Sequence, residues 1–125
     1  MNWTVENLET NHCVKVVTEG VFTTEEQDRM LDEIISKEYW KPDINVFFDC
    51  RKCDFSNTDQ EMPLEASMNF IRHDALIGCG KVALLMKSVA DFTLGREFEI
   101  LTDEKVCANV GIFLNETQVF RWLDL

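Results

Sequence analysis

Along this 125-residue chain the spacing of apolar residues changes repeatedly between two and about 3.6. A sequence that alternates in this way has few architectures open to it, because each period dictates which face of an element must be covered. Residues 3–8 and 12–18 (HCVKVVT) read as a strand pair joined by a polar turn near Glu9-Thr10-Asn11. Gly20 to Glu26 reads as a helix entry, with Thr23 and Glu26, or Thr24 and Gln27, at capping-box spacing. Met30, Leu31, Ile34 and Ile35 then make one apolar stripe, which predicts a helix over about 24–38, ended by Trp40-Lys41-Pro42-Asp43. Ile44–Phe48 follows as a short buried strand.

The pattern repeats. Thr58 and Glu61 can cap a second helix with Pro63 in its first turn, where a missing N–H does no harm. Its inner face is expected to carry Leu64, Met68, Ile71 and Ala75 as far as Gly78. Lys81–Met86 is a strand, Ser88 to Asp91 opens a third helix carrying Phe92, Gly95, Phe98 and Leu101, and Asn109–Leu114 is another strand. Asn115 with Gln118 caps a last helix that buries Val119, Trp122 and Leu123. The expected fold is α/β, one domain over residues 1–125 in the order ββαβαβαβα. Its sheet should be mostly parallel, flanked by about four helices, with right-handed crossovers.

Charge narrows the function classes. With 12 Lys+Arg against 23 Asp+Glu, net −11, the surface repels phosphate backbones and anionic headgroups, so a nucleic-acid partner is not expected. The opening MNWTVENLET lacks the basic and apolar regions of a leader, and VALLM and VFF are too short to span a bilayer. Five cysteines without a disulfide-framework spacing fit a reducing, cytoplasmic setting.

Cys50-Arg51-Lys52-Cys53 is the one cysteine pair with a chemical spacing. It can be a dithiol couple, half a zinc site, or two small buried hydrophobes. A thioredoxin-type couple needs its first thiol at a helix N-terminus, where the dipole favours the thiolate. Here the pair reads as lying at a strand exit, between Asp49 and Asp54, with the next helix near residue 59. Zinc needs about four ligands, and Cys13, Cys79, Cys107, His12 and His73 are scattered singly. The two cysteines are therefore read as buried hydrophobes, and no metal or cofactor is expected. No glycine-rich phosphate loop is present: Gly78-Cys79-Gly80 leads into a strand. His73, between Arg72 and Asp74, reads as a solvated or helix-capping residue. Nothing here points to catalysis.

The strings FFDCRKCDF, GKVALLMKSVADFTLGREFEIL and VGIFLNETQVFRWL together resemble the SpoIIAA-like family of small bacterial proteins, in the STAS-like fold group. The features that match are Asp49 and Arg51 after the central strand, Lys81-Val82-Ala83, then Phe92, Arg96, Phe98 and Glu99, and finally Trp122-Leu123. Gly20, Phe22, Thr23, Glu25 and Glu26 fit the opening segment. The resemblance implies a non-enzymatic binding module, working by regulatory protein–protein contact and as a homodimer. Anti-anti-sigma relatives carry a phosphorylatable Ser or Thr after the central strand, which makes Ser56 and Thr58 the corresponding candidates, although the motif itself is missing and either reads as a helix N-cap.

Two sets of residues remain as binding candidates. Asp49, Arg51 and Asp54 cluster with Asp59 at a strand end, as the polar rim of a pocket or as surface ion pairs and turns. Met62, Leu64, Met68 and Phe70 crowd the second helix, and Phe92, Leu94 and Phe98 the third. These are core and dimer contacts, or, as architectural kinship with CRAL-TRIO lipid-transfer domains suggests, a hinged lid over a pocket for a small apolar ligand or lipid, with weak, transient membrane contact.

Overall fold

The structure, a computed structural model, describes residues 1–9 and 12–125, so Thr10 and Asn11 of the expected turn lie outside the described residues. Its strands are β1 (Asn2–Leu8), β2 (Cys13–Val21), β3 (Asn45–Asp54), β4 (Lys81–Leu85) and β5 (Asn109–Phe113), hydrogen-bonded in that order. The β1–β2 pair is antiparallel and every later pair is parallel. Helices α1 (Thr24–Ile35), α2 (Met62–Arg72), the short α3 (Asp74–Ile77) and α4 (Val89–Thr102) fill the crossovers, and α5 (Glu116–Leu123) follows β5.

Because the three parallel crossovers step the same way across the sheet, one common hand puts their helices on one face. Burial agrees. Val14, Val16, Val46, Phe48 and Val82 pack with Met30, Ile34, Ala66, Phe70 and Phe98 from α1, α2 and α4. The alternate residues, Cys13, Phe47, Ala83 and Leu85, pack on the opposite face with Val119 and Leu123 of α5. Period-two alternation thus splits the sheet into a large core under three helices and a small one under α5.

The capping signals explain most helix starts. Thr23 accepts from the Glu26 N–H at 3.2 Å, Ser88 from Asp91 at 3.2 Å, and Asn115 from Thr117 and Gln118. Several expectations are corrected. Helix α1 stops at Ile35, where the Ser36 hydroxyl donates to the Glu33 carbonyl at 2.6 Å. Gly20 and Val21 end β2 rather than entering a helix. Thr58 does not cap α2: its hydroxyl donates to Phe55 O at 2.6 Å, while Ser56 N–H donates to Asp54 Oδ1 at 2.9 Å, and α2 starts at Met62 without a side-chain cap. The helix breaks at His73 instead of running to Gly78.

The buried stripe of α2 is also rotated from the one expected. Met62, Ala66, Ser67, Asn69 and Phe70 face inward, whereas Leu64 and Met68 are 48% and 50% exposed. Two polar residues sit in that stripe because each has partners. Ser67 donates to Leu64 O at 2.7 Å, and Asn69 Nδ2 lies 2.8 Å from Thr24 O and 2.7 Å from Gln27 Oε1.

Strand β3 runs to Asp54, so Cys50 and Cys53 lie within it and not at its exit. Val17 pairs with Asp49 but Glu19 with Lys52, so β3 carries one extra residue there, a β-bulge. The bulge shifts the alternation by one, and this is why Cys50 and Cys53, three apart, both enter the large core. Cys79 and Cys107, read as scattered, are joined by a disulfide. Lys81 pairs with Asn109 in the parallel β4–β5 ladder, and that register brings the residues two positions earlier side by side.

Candidate functional site

At the C-terminal half of the parallel strands, α2 and α4 leave a cavity of about 60 Å³ above the sheet. Open α/β sheets bind ligands beyond the carboxyl ends of their strands, and this cavity has that position. Its wall is almost wholly apolar. Phe48 and Cys50 supply the floor from β3, Met62, Ala66 and Phe70 one side from α2, and Leu94, Gly95 and Phe98 the other from α4. Phe70 meets Phe48 edge-on at 6.4 Å and Phe98 at 5.0 Å, so one ring links both helices to the sheet. A side chain at Gly95 would press on Ile112 and Met86, at 2.9 and 3.2 Å, and lift α4 away.

Of the seven apolar candidates from the sequence, Met62, Phe70, Leu94 and Phe98 line this cavity. Leu64 and Met68 face outward, and Phe92 lies in a separate groove with Phe113 and Trp122 beside β5. Met30, read from the sequence only as part of the α1 stripe, and Met86, just past β4, add to the wall with Phe22, Phe55, Leu84, Thr18 and Gln27.

The polar candidates do not form one rim. Asp49 has the opposite strand parity to Phe48 and Cys50, and Arg51 links it to the first turn of α5. Arg51 Nε and Nη2 hold Asp49 in a two-pronged pair at 2.9 and 2.8 Å, and Nη2 also reaches Glu116 at 2.8 Å. The Arg51 hydrogen bonds outweigh burial and hold the Asp49 carboxyl below its usual range. Asp54 serves the Ser56 turn, and Asp59 accepts from Glu61 N–H at 3.0 Å.

The free thiols are unsuited to nucleophilic work. Burial pushes Cys50 up to about 12 and Cys13 up to about 11, and raises Cys53 as well. We expect a thiol reagent such as DTNB to find no reactive cysteine in the native, unreduced protein and three after unfolding. Rapid native reaction at Cys50 or Cys53 would contradict this placement. Among the described residues no group of His, Cys, Asp and Glu is placed to hold a metal ion.

No family model and no curated protein matches the sequence. A solved structure does: an uncharacterised protein of the DUF3478 family from Shewanella loihica PV-4, described as having a SpoIIAA-like fold. The two chains are 14% identical, the match covers 98% of this chain and 92% of that one, and the TM-score is 0.62. This chain has a SpoIIAA-like fold.

Within the SpoIIAA-like fold, the motif residues quoted from the sequence have mostly architectural positions. Asp49 and Arg51 fasten β3 to α5, Arg96 pairs with Glu99 along α4, and Leu123 closes the small core while the Lys81 ammonium donates to Trp122 O at 2.8 Å. Phe22 and Phe98 of that set also enter the cavity wall. No helix of the described residues is long and apolar enough to cross a membrane.

Proposed function

We propose that this chain is a non-enzymatic binding module and that its ligand is a small apolar molecule held in the cavity between α2, α4 and the sheet. The observation that carries this reading is the composition and position of the wall: aromatic and methionine side chains meet at the strand ends, with almost no polar surface. Apolar voids lined in this way stay dry and take up apolar guests. At about 60 Å³ the space is smaller than the roughly 150 Å³ that admits benzene, so anything larger than a few carbon atoms requires α2 and α4 to part. Methionines at positions 30, 62 and 86 give the wall the adaptability such a movement needs.

A purely regulatory protein contact through the helix faces has less support. Leu64 and Met68 are exposed, but they are neighboured by Glu65 and Arg72, and small apolar spots of this kind are ordinary on monomers. The cytoplasmic setting and the homodimer read from the sequence remain part of the proposal, but the Cys79–Cys107 disulfide removes the cysteine argument for a reducing compartment.

The test uses protein labelled at its methionine methyl groups and followed by NMR under xenon pressure. The Met30, Met62 and Met86 signals are expected to shift with xenon while Met68, on the outer face of α2, stays still. No shift at the three wall methionines, or an equal shift at Met68, would remove the reading. Native mass spectrometry of the same sample reports the oligomeric state and any retained adduct.

A further inference from the structure

The five cysteines fall into two chemical groups. Cys13, Cys50 and Cys53 are free and buried, whereas Cys79 and Cys107 are exposed and joined by the disulfide. Exposure matters because thiol–disulfide exchange requires an attacking thiolate to reach one of the bonded sulfurs, and exposed disulfides are the labile ones. The free thiols do not compete for the pair, since Cys50 and Cys53 lie in the large core and Cys13 in the small one. A reductant from solvent therefore meets one isolated bond.

The backbone on both sides of that bond is held without it. Cys79 stands between Gly78 and Gly80, which sit so close to the Asp43 turn that a side chain at Gly78 would come within 2.5 Å of Asp43 N, and one at Gly80 within 2.6 Å of Asp43 O. The Cys79 N–H donates to Asp43 Oδ1 at 2.7 Å and the Cys107 N–H to Asp74 Oδ1 at 2.8 Å. Just beyond the bond, Asn109 N–H donates to Gly80 O at 2.9 Å, where the β4–β5 ladder begins. Two carboxylates from separate turns and a backbone hydrogen bond thus keep the cysteine Cα atoms, 4.5 Å apart in the closed form, as neighbours when the sulfurs part. A staple on which the fold depends would join segments with no other tie; this one crosses a junction already tied.

Its opening has a local target. Strand β5 is the edge of the sheet, with β4 its one neighbour among the described residues. The disulfide fastens the entry of β5, and Met86 N–H, donating to Phe113 O at 2.9 Å, fastens its exit. Ile112 of β5 and the Met86 methyl group both bear on Gly95 of α4. Freeing the entry of β5 loosens the strand against which α4 rests, and Met86 stands where that change is felt.

We propose that Cys79–Cys107 is a reversible redox-modification site whose reactant is a dithiol, and that its opening loosens β5 and the adjoining α4 without unfolding the protein. A thiolate of the dithiol attacks one sulfur, giving a mixed disulfide and one cysteine thiolate, which takes up a proton. The second thiol of the reactant then displaces the other cysteine. Two electrons and two protons pass to the protein, and the reactant closes into its own disulfide. The site is independent of what the cavity holds.

The test treats the full chain with dithiothreitol under native conditions and removes the reagent. Thiols are then counted with DTNB while methionine methyl signals and amide hydrogen exchange are followed. Two fast thiols are expected where the unreduced protein shows none, with alkylation mapping them to Cys79 and Cys107. The methyl spectrum should keep its native dispersion, with the Met86 signal moved and Met68 still. Amides of β5 should exchange at least about tenfold faster while those of β3 are unchanged. Oxidised glutathione should restore the original spectrum and the intramolecular bond. The double variant Cys79→Ser with Cys107→Ser should match the reduced protein and respond to neither reagent. The inference fails if the bond resists reduction until urea unfolds the chain, or if reduction collapses the methyl dispersion, which would mark a structural staple. It fails equally if Met86 and β5 do not respond, or if reoxidation links separate copies instead.

Discussion

Phe70→Ala is expected to destabilise the protein by about 3–5 kcal/mol, the largest loss of any single change considered, and to create a binding site for benzene that the parent protein lacks. Phe70 is 4% exposed, and its ring touches the rings of Phe48 on β3 and Phe98 on α4. Removing it takes away the transfer free energy of a buried aromatic side chain and also the two ring–ring contacts that join α2 to its neighbours. The void left behind opens onto the cavity that already exists beside it, so the neighbours have less material with which to collapse, and the loss belongs at the upper end of the range. Urea unfolding gives the first quantity. The second comes from repeating the titration in benzene-saturated buffer, where the variant's midpoint should rise and the parent's should stay put, because a ligand that binds only the folded state stabilises by mass action. A loss below about 1 kcal/mol would mean that Phe70 is not the linchpin its contacts suggest. Equal benzene stabilisation of both proteins would mean that the cavity already opens to that size.

The change of apolar period was enough to place every strand and four of the five helices, and Thr23, Ser88 and Asn115 marked three helix starts, because these signals are local. What depends on two distant segments meeting was not legible. The length of β3 was hidden by its bulge: the extra residue breaks the alternation at Cys50-Arg51, so a period-two reading stops at Phe48 although the ladder continues to Asp54. The inner face of α2 was misassigned because counting the largest apolar residues selects Leu64 and Met68, while Ser67 and Asn69 are buried on the strength of hydrogen bonds to carbonyls and to Gln27. Cys79 and Cys107 meet only through the β4–β5 register, 28 residues apart. The same applies to the site. Leu94 and Phe98 could be listed as surplus apolar residues, but that they face Phe48 and Met86 across a void is a property of helix placement.

His73 is a further residue whose surroundings overturn its sequence reading, and it sets how stability should vary with pH. It is buried, not solvated, and its ring bridges two helices: Nδ1 lies 2.7 Å from the Asn69 carbonyl and Nε2 2.8 Å from Asp32 Oδ1. Both partners are acceptors, so both ring nitrogens must donate, and only the protonated imidazolium does that. Asp28, 3.8 Å from Nδ1, adds a second carboxylate from α1, while Arg72 on α2 pairs with Asp28 at 3.0 Å and with Asn69. Burial alone works against the charge, but the Asn69 carbonyl and Asp32 outweigh it and hold His73 above its ordinary 6.5. A group whose pKa is raised by folding stabilises most below its unfolded value and loses that contribution as pH climbs through the folded one. Stability should therefore fall as pH rises from 6.5 upward, by about 1–2 kcal/mol: two charge-assisted hydrogen bonds are at stake, but Asp32 is largely exposed and its share is screened. At the acid end Asp49 acts with the opposite sign, since its lowered pKa gives stability that is lost as pH drops below 3.8. Urea midpoints measured across pH for the parent and for His73→Gln decide the matter. The variant should be less stable below 6.5 and should lack the alkaline decline, and an unchanged slope in the variant would assign the decline to other groups. Because His73 and Asn69 hold α2 against α1, and the same turn of α2 presents Phe70 to the cavity, the alkaline form should also admit apolar guests more readily, which the methionine methyl signals would report in the same pH series.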